Sequence, residues 1–220
     1  MSLQTIELHP GGAARASIVM LHGLGADGTD FLPLADELAL DTVGPVRWVF
    51  PRAPERPVTV NGGLRMRAWY DILGTDLARR EDEAGLRNSF ALAQALVERE
   101  IARGIPAERI VLAGFSQGCA ITLGAGLRCP YRLAGLAGLS GYLPLAGTTA
   151  AERHAANGAT PVFLAHGDQD DIVAPARGEA AAQSLRVLGL DVEWHRYPMA
   201  HSVCLEELQD LGRWLRQVLA

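Results

Sequence analysis

The sequence predicts an α/β fold, a mostly parallel central sheet flanked by helices, as one domain over residues 1–220. Three observations carry this. Short apolar runs rich in β-branched residues alternate with segments of helical periodicity along the whole chain. A hydrophobic content of 49% over 220 residues suffices for one sizeable core and is short for two. Finally, Arg109 to Leu127, RIVLAGFSQGCAITLGAGL, reads as buried strand, sharp turn and helix in immediate succession.

Taken in order, Thr5 to Leu8 alternates like a short edge strand, and Ser17 to Leu21 is a fully apolar strand running into His22-Gly23-Leu24-Gly25. The spacing of Phe31, Leu32, Leu34, Ala35 and Leu38 predicts a short helix over Phe31 to Leu40, after which Val46 to Phe50 returns as a strand. Pro54, Pro57, Gly62 and Gly63 make Arg52 to Asp76 a long irregular loop. In Glu81 to Arg103, Leu86, Phe90, Ala93, Val97 and Ile101 form the stripe of an amphipathic helix that Gly104 and Pro106 stop. After the central segment, Leu133 to Leu139 and Pro161 to Ala165 are further buried strands, separated by a polar, alanine-rich stretch. A helix from Ala174 to Leu188, a strand from Val192 to Tyr197 and a final helix bearing Leu205, Leu208, Leu211, Leu215 and Val218 complete the alternation.

Composition excludes several chemistries. The net charge of −5 provides no basic footprint for nucleic acid, and no apolar run reaches the length of a membrane span. All 20 basic residues are arginine, so Schiff-base chemistry, lysine-anchored pyridoxal phosphate and the Walker lysine are absent. Cys119, Cys129 and Cys204 are odd in number and lack C-x-x-C spacing, which indicates reduced thiols, neither a disulfide framework nor a zinc site, and a cytoplasmic protein. The start, MSLQTIELHP, lacks a signal-peptide pattern.

Gly114-Phe115-Ser116-Gln117-Gly118 fits G-x-S-x-G, the nucleophile elbow. A serine held on a strained strand-to-helix turn projects its hydroxyl beyond the sheet. The crowding requires small residues two before and two after it. The amide of Gln117, in the first helical turn, then points toward developing negative charge. In folds that use this elbow the acid and the histidine follow the serine in that order. Among His154, His166, His195 and His201, only His201 occupies a loop between a terminal strand and the last helix. Asp168, Asp170 and Asp171 all follow the strand PVFLA; an EF-hand reading fails on spacing, and a phosphotransferase D-x-D would leave the elbow and His201 without a role. A second oxyanion donor is expected from the glycine-rich turn after Leu21.

LHGLGAD, PRAPERPVTVNGG, WYD, GFSQG, HGDQDD and YPMAH together resemble the carboxylesterase and phospholipase family of α/β-hydrolases, which includes the acyl-protein thioesterases; the likeness spans nearly the whole chain. It implies an α/β-hydrolase fold and a triad of Ser116, Asp170 and His201, with oxyanion amides from Leu24 and Gln117. The chain must leave the sheet through Gly167 before a carboxylate can swing toward the histidine loop, which disfavours Asp168, and Asp171 runs directly into apolar Ile172 and Val173. Cys119 stands where many relatives have glycine, and Arg67 where a proline commonly precedes the tryptophan pair.

The expected reaction is hydrolysis of a small-molecule carboxylic ester through an acyl-enzyme, with thioesterase or lysophospholipase activity as the alternative and a non-catalytic binding protein as the rival. No metal or organic cofactor, nucleic acid or stable membrane insertion is expected, and the resemblance implies a possible homodimer. The segment between the strands ending at Leu139 and starting at Pro161 is too short for a lid domain. The expected acyl wall is therefore Leu64, Met66, Trp69 and Leu73 of the long loop, helped by Ile172, with short to medium acyl chains preferred.

Overall fold

A computed structural model describes residues 3–9, 11–74 and 80–220. The strands are β1 (Thr5–Leu8), β2 (Ala16–Leu21), β3 (Val46–Pro51), β4 (Glu55–Val58), β5 (Leu64–Arg67), β6 (Ile110–Phe115), β7 (Gly135–Leu139), β8 (Val162–Gly167) and β9 (Val192–Tyr197). The helices are α1 (Leu34–Glu37), α2 (Glu83–Ala102), α3 (Gln117–Leu127), α4 (Ala146–Glu152), α5 (Pro175–Val187) and α6 (Leu205–Val218). Seven strands form one sheet in the order β1-β3-β2-β6-β7-β8-β9, antiparallel only between β1 and β3.

Alternation along each strand divides the core into two layers. Val19, Leu21, Ile110, Leu112, Leu136 and Leu164 face α2, α3 and α5, while Ile18, Met20, Val111, Ala113, Ala137 and Phe163 face α1 and α6. Both faces of the parallel strands are covered, which is why β2 and β8 are buried at every residue and read as continuous apolar runs. Helix α2 starts where the Asp82 carboxylate accepts from the Gly85 amide (2.9 Å), and it ends before Gly104, whose φ of 91° a side chain would resist.

Two local expectations are corrected. Arg52 to Asp76 is not irregular throughout: β4 and β5 pair as an antiparallel hairpin closed by a 3₁₀ turn at Thr59–Asn61, and the last expected residues, Thr75 and Asp76, lie outside the described residues. Pro57 is tolerated because this two-stranded ribbon is all edge. The helix expected over Phe31 to Leu40 shrinks to the single turn of α1, flanked by 3₁₀ turns at Gly28–Phe31 and Asp41–Val43; Pro33 sits at its N-cap, and Ala39 ends it with φ 47°. The alanine-rich stretch before β8 carries α4, which lacks an apolar stripe of its own.

Strand β2 has β3 on one side and β6 on the other, so successive crossovers leave β2 in opposite directions. A crevice opens at such a point beyond the strand ends. The loops after β2, β6, β8 and β9 meet there.

Candidate active site

Ser116 follows β6 directly and caps α3 with φ 57° and ψ −117°, a conformation costly for a residue with a Cβ. Two glycines make the turn possible. A Cβ on Gly114 would overlap the Gly118 backbone, and a Cβ on Gly118 would overlap the Leu21 carbonyl of the neighbouring strand. The Ser116 amide is held by Leu139 O at 2.9 Å, which fixes the turn against β7.

The Ser116 hydroxyl lies 2.9 Å from His201 Nε2, and His201 Nδ1 lies 2.7 Å from Asp170 Oδ2. An ionised carboxylate only accepts, so Nδ1 carries the proton and Nε2 presents a lone pair to the hydroxyl. The other Asp170 oxygen accepts from the amides of Ile172 (2.9 Å) and Val173 (2.8 Å). Asp170 is 5% exposed, buried with its charge met by hydrogen bonds. Gly167 brings the two loops together, since a Cβ there would overlap the Met199 and Ala200 carbonyls, and Gln169 N donates to Met199 O at 3.0 Å. The Phe115 ring packs 4.8 Å from the His201 ring. Of the other two carboxylates, Asp168 turns outward to Arg196 (2.6 Å) and Asp171 is exposed.

Sequence reasoning set His166 aside, yet it lies behind this relay. Its Nε2 donates to Val173 O at 2.8 Å and is 3.2 Å from Asp170 Oδ2; burial holds its pKa below the usual histidine value. A histidine at a strand's end carries no periodic signal of that position.

Leu24 and Gln117 both line the crevice beside Ser116. Gly25 N donates to Arg67 O (2.9 Å) and Ala26 N to Gly23 O (3.3 Å), while the Leu24 amide meets no acceptor among the described residues. Gln117 is the first residue of α3, where amides lack intrahelical partners. His22, below this turn, accepts from Ala53 N at Nε2 (3.0 Å) and donates from Nδ1 to Gly23 O (2.7 Å), the pattern of a neutral ring, and burial lowers its pKa. Arg67, where the resembled pattern has proline, bonds Asp27 Oδ2 (3.1 Å) and Ala53 O (3.0 Å), fastening the hairpin to this loop.

Of the expected acyl wall, only Ile172 reaches the site. It lines both cavities beside Ser116, one of about 420 Å³ with Leu24, Phe31, Phe115, His201 and Val203, the other of about 70 Å³ with Tyr70, Ile72, Gln117, Tyr142 and Val173. Trp69 is fully buried, so it offers no surface; its indole N–H donates to His22 O (2.9 Å), and its backbone is held by the Gln117 carboxamide and the Ser89 hydroxyl. Leu64 is 63% exposed on β5, Met66 packs beside Gly25, and Leu73 is half-buried; none of these three lines either cavity. The other residues that line these cavities come from loops distant in sequence. Phe31, Ile72, Tyr142 and Val203 in particular carry no local signal of this position.

A strained serine at the end of a central strand, bonded to a histidine that is bonded to a buried aspartate, on a mostly parallel sheet, defines an α/β-hydrolase. The sequence pattern of the phospholipase/carboxylesterase family matches residues 5–219, and the chain belongs to that family. Acyl-protein thioesterase 1 of Gibberella zeae is 41% identical over 213 residues, covering 93% of this chain and 91% of that protein. Acyl-protein thioesterase 1 of Yarrowia lipolytica is 36% identical over 210 residues, covering 93% and 92%. Among solved structures, SOBER1 of Arabidopsis thaliana superposes with a TM-score of 0.89 at 32% identity over 94% of this chain and 100% of that one. Acyl-protein thioesterase 2 of Zea mays gives 0.88 at 30% identity over 99% of each chain.

Proposed function

We propose that the chain hydrolyses acyl thioesters and carboxylic esters through an acyl-enzyme formed on Ser116. The observation that carries this reading is the continuous hydrogen-bonded relay from Ser116 Oγ through His201 to Asp170. His201 takes the hydroxyl proton as Oγ attacks the acyl carbon, and Asp170 holds the imidazole with its proton on Nδ1. The amides of Leu24 and Gln117 meet the oxyanion, each worth about 3 kcal/mol in comparable chemistry. The carbonyl re-forms as the bond to the leaving oxygen or sulfur breaks, and His201 returns the proton to that atom. Water then repeats the sequence on the acyl-serine.

The thioester reading ranks ahead of a general carboxylesterase because the relatives cited above are named acyl-protein thioesterases. A leaving atom must lie within reach of His201, which assigns the leaving group to the larger cavity and the acyl chain to the smaller one. A volume of about 70 Å³ supports a short to medium acyl chain. The three unpaired cysteines support a reducing, cytoplasmic setting, and among the described residues no helix is long and apolar enough to cross a membrane.

The test is a matched series of oxygen esters and thioesters from C2 to C16, run beside Ser116→Ala. The expected result is that kcat/KM peaks at short to medium chains, with thioesters turned over at least as fast as esters. Ser116→Ala falls below about a hundredth of wild type, given losses of order a million for such replacements. A steady rise to C16 would refute the chain-length proposal, and a variant that retains activity would refute the nucleophile.

A further inference from the structure

The larger cavity beside Ser116 is aromatic on one side and carries a single permanent charge. Its lining includes Asp30, Phe31, Phe115, Ser202 and His201, and no arginine. Arg52 and Arg67, the basic side chains bound to the adjoining loop, both engage Asp27, at 3.0 and 3.1 Å, rather than Asp30. Asp30 Oδ2 accepts from the Asp27 amide at 3.1 Å, and its other oxygen bonds to no group among the described residues. Phe31 follows it directly, and the Phe31 and Phe115 rings are tilted against one another with centroids 5.9 Å apart. A carboxylate beside two aromatic rings attracts a positive charge, above all a weakly hydrated onium or guanidinium group. The same arrangement repels an anion, with no cation in the lining to receive it.

We infer that the leaving-group side of this site selects an alcohol or thiol that carries a positive charge, with Asp30, Phe31 and Phe115 as its specificity determinants. This rests on the proposed hydrolase reading, because it is the return of the proton by His201 that places the leaving group in the larger cavity. The covalent step is unchanged: Ser116 Oγ bonds to the acyl carbon, the bond from that carbon to the leaving oxygen or sulfur breaks, and the hydroxyl proton passes through His201 to the departing atom. The cationic centre takes no part in bond making. Its attraction to Asp30 draws the departing half of the substrate into the cavity where His201 waits.

The experiment compares three esters of one short acid at low ionic strength: the choline ester, the ester of the neutral isostere 3,3-dimethylbutanol, and the ester of the anionic 2-hydroxyethanesulfonate. For the wild type, kcat/KM for the choline ester should exceed that of the neutral isostere by about tenfold, and the anionic ester should fall below both, the scale expected of one exposed carboxylate acting with aromatic faces. Asp30→Asn keeps an oxygen for the Asp27 amide, and it should bring the cation-to-neutral ratio to within about twofold of unity. Phe31→Leu should lower the same ratio partway, and added salt should erode it in the wild type. Each ratio is internal to one protein preparation, so a partly destabilised variant still reports it. Equal rates for the three esters, or a preference that survives Asp30→Asn, would overturn this inference alone. Turnover of none of them, with no fluorophosphonate labelling of Ser116, would overturn the hydrolase reading and this inference with it.

Discussion

The carboxylates of this chain divide sharply by what surrounds them. Asp170 receives two backbone amides and the His201 imidazole, whereas Asp168 pairs with Arg196 on the surface and Asp171 faces solvent. Asp170→Asn should therefore lower kcat by about 10⁴, because an amide there favours the wrong imidazole tautomer. Asp168→Asn and Asp171→Asn should stay within about tenfold of wild type; steady-state kinetics on the three variants decides it, and a collapse in either outer variant without one in Asp170→Asn would move the acid. Glu207 is the opposite case. It is fully buried in α6, no cation pairs with it among the described residues, and burial, only partly offset by the Cys204 amide, pushes its pKa from 4.5 to about 8. A carboxyl whose folded pKa is raised favours the folded state least when ionised, so stability is lost as pH rises from about 4.5 through 8. The loss reaches about 5 kcal/mol above that window. Glu207→Gln should flatten the fall in unfolding free energy between pH 5 and 9, as read from denaturant midpoints. A mutant curve parallel to wild type would show that Glu207 is not the group responsible.

At the scale of elements, the strand-turn-helix of β6, Ser116 and α3 was fully legible because its determinants are adjacent in sequence. Gly114 and Gly118 are there for space, and the structure supplies the objects they avoid: the Gly118 backbone for Gly114, and the Leu21 carbonyl on β2 for Gly118. Gly118→Ala should therefore cost about 1–3 kcal/mol of stability through overpacking, measured by chemical denaturation, along with much of the activity as the turn shifts. A variant as stable and active as wild type would mean that the elbow has more slack than its geometry allows. The hairpin of β4 and β5 was hidden for a physical reason. Prolines and glycines exclude a strand from the middle of a sheet, and this ribbon is not in the middle of one. The lining of the cavities was hidden for another. Trp69 was expected in the wall because it lies in the long loop, the one segment available in the absence of a lid, but its indole and backbone tie that loop to His22 and Gln117. The cavities are closed instead by Tyr70, Ile72, Tyr142, Phe31 and Val203, brought together by tertiary packing that no local spacing announces.

At the scale of the whole molecule, the alternation of apolar runs and helical stripes was enough to give the sheet, because burial on both faces leaves an unmistakable pattern in parallel strands. Seven of the nine strands among the described residues, from Thr5 to Tyr197, lie in one sheet, which supports treating residues 1–220 as one domain. Strand order and the switch point between β2 and β6 were not legible, since they depend on which crossover goes which way. Yet the switch point is what brings the turn after β2 beside the elbow after β6, where Ser116, Asp170 and His201 gather from three strand ends. The central claim is that this convergence makes Ser116 a nucleophile. The most direct measurement is reaction of the protein with a fluorophosphonate, followed by peptide mass spectrometry to locate the adduct. The account predicts one phosphonyl group, on Ser116, lost in Ser116→Ala and formed far more slowly in His201→Ala. Absence of an adduct on the folded wild-type protein, or an adduct on any other residue with Ser116 unmodified, would contradict it.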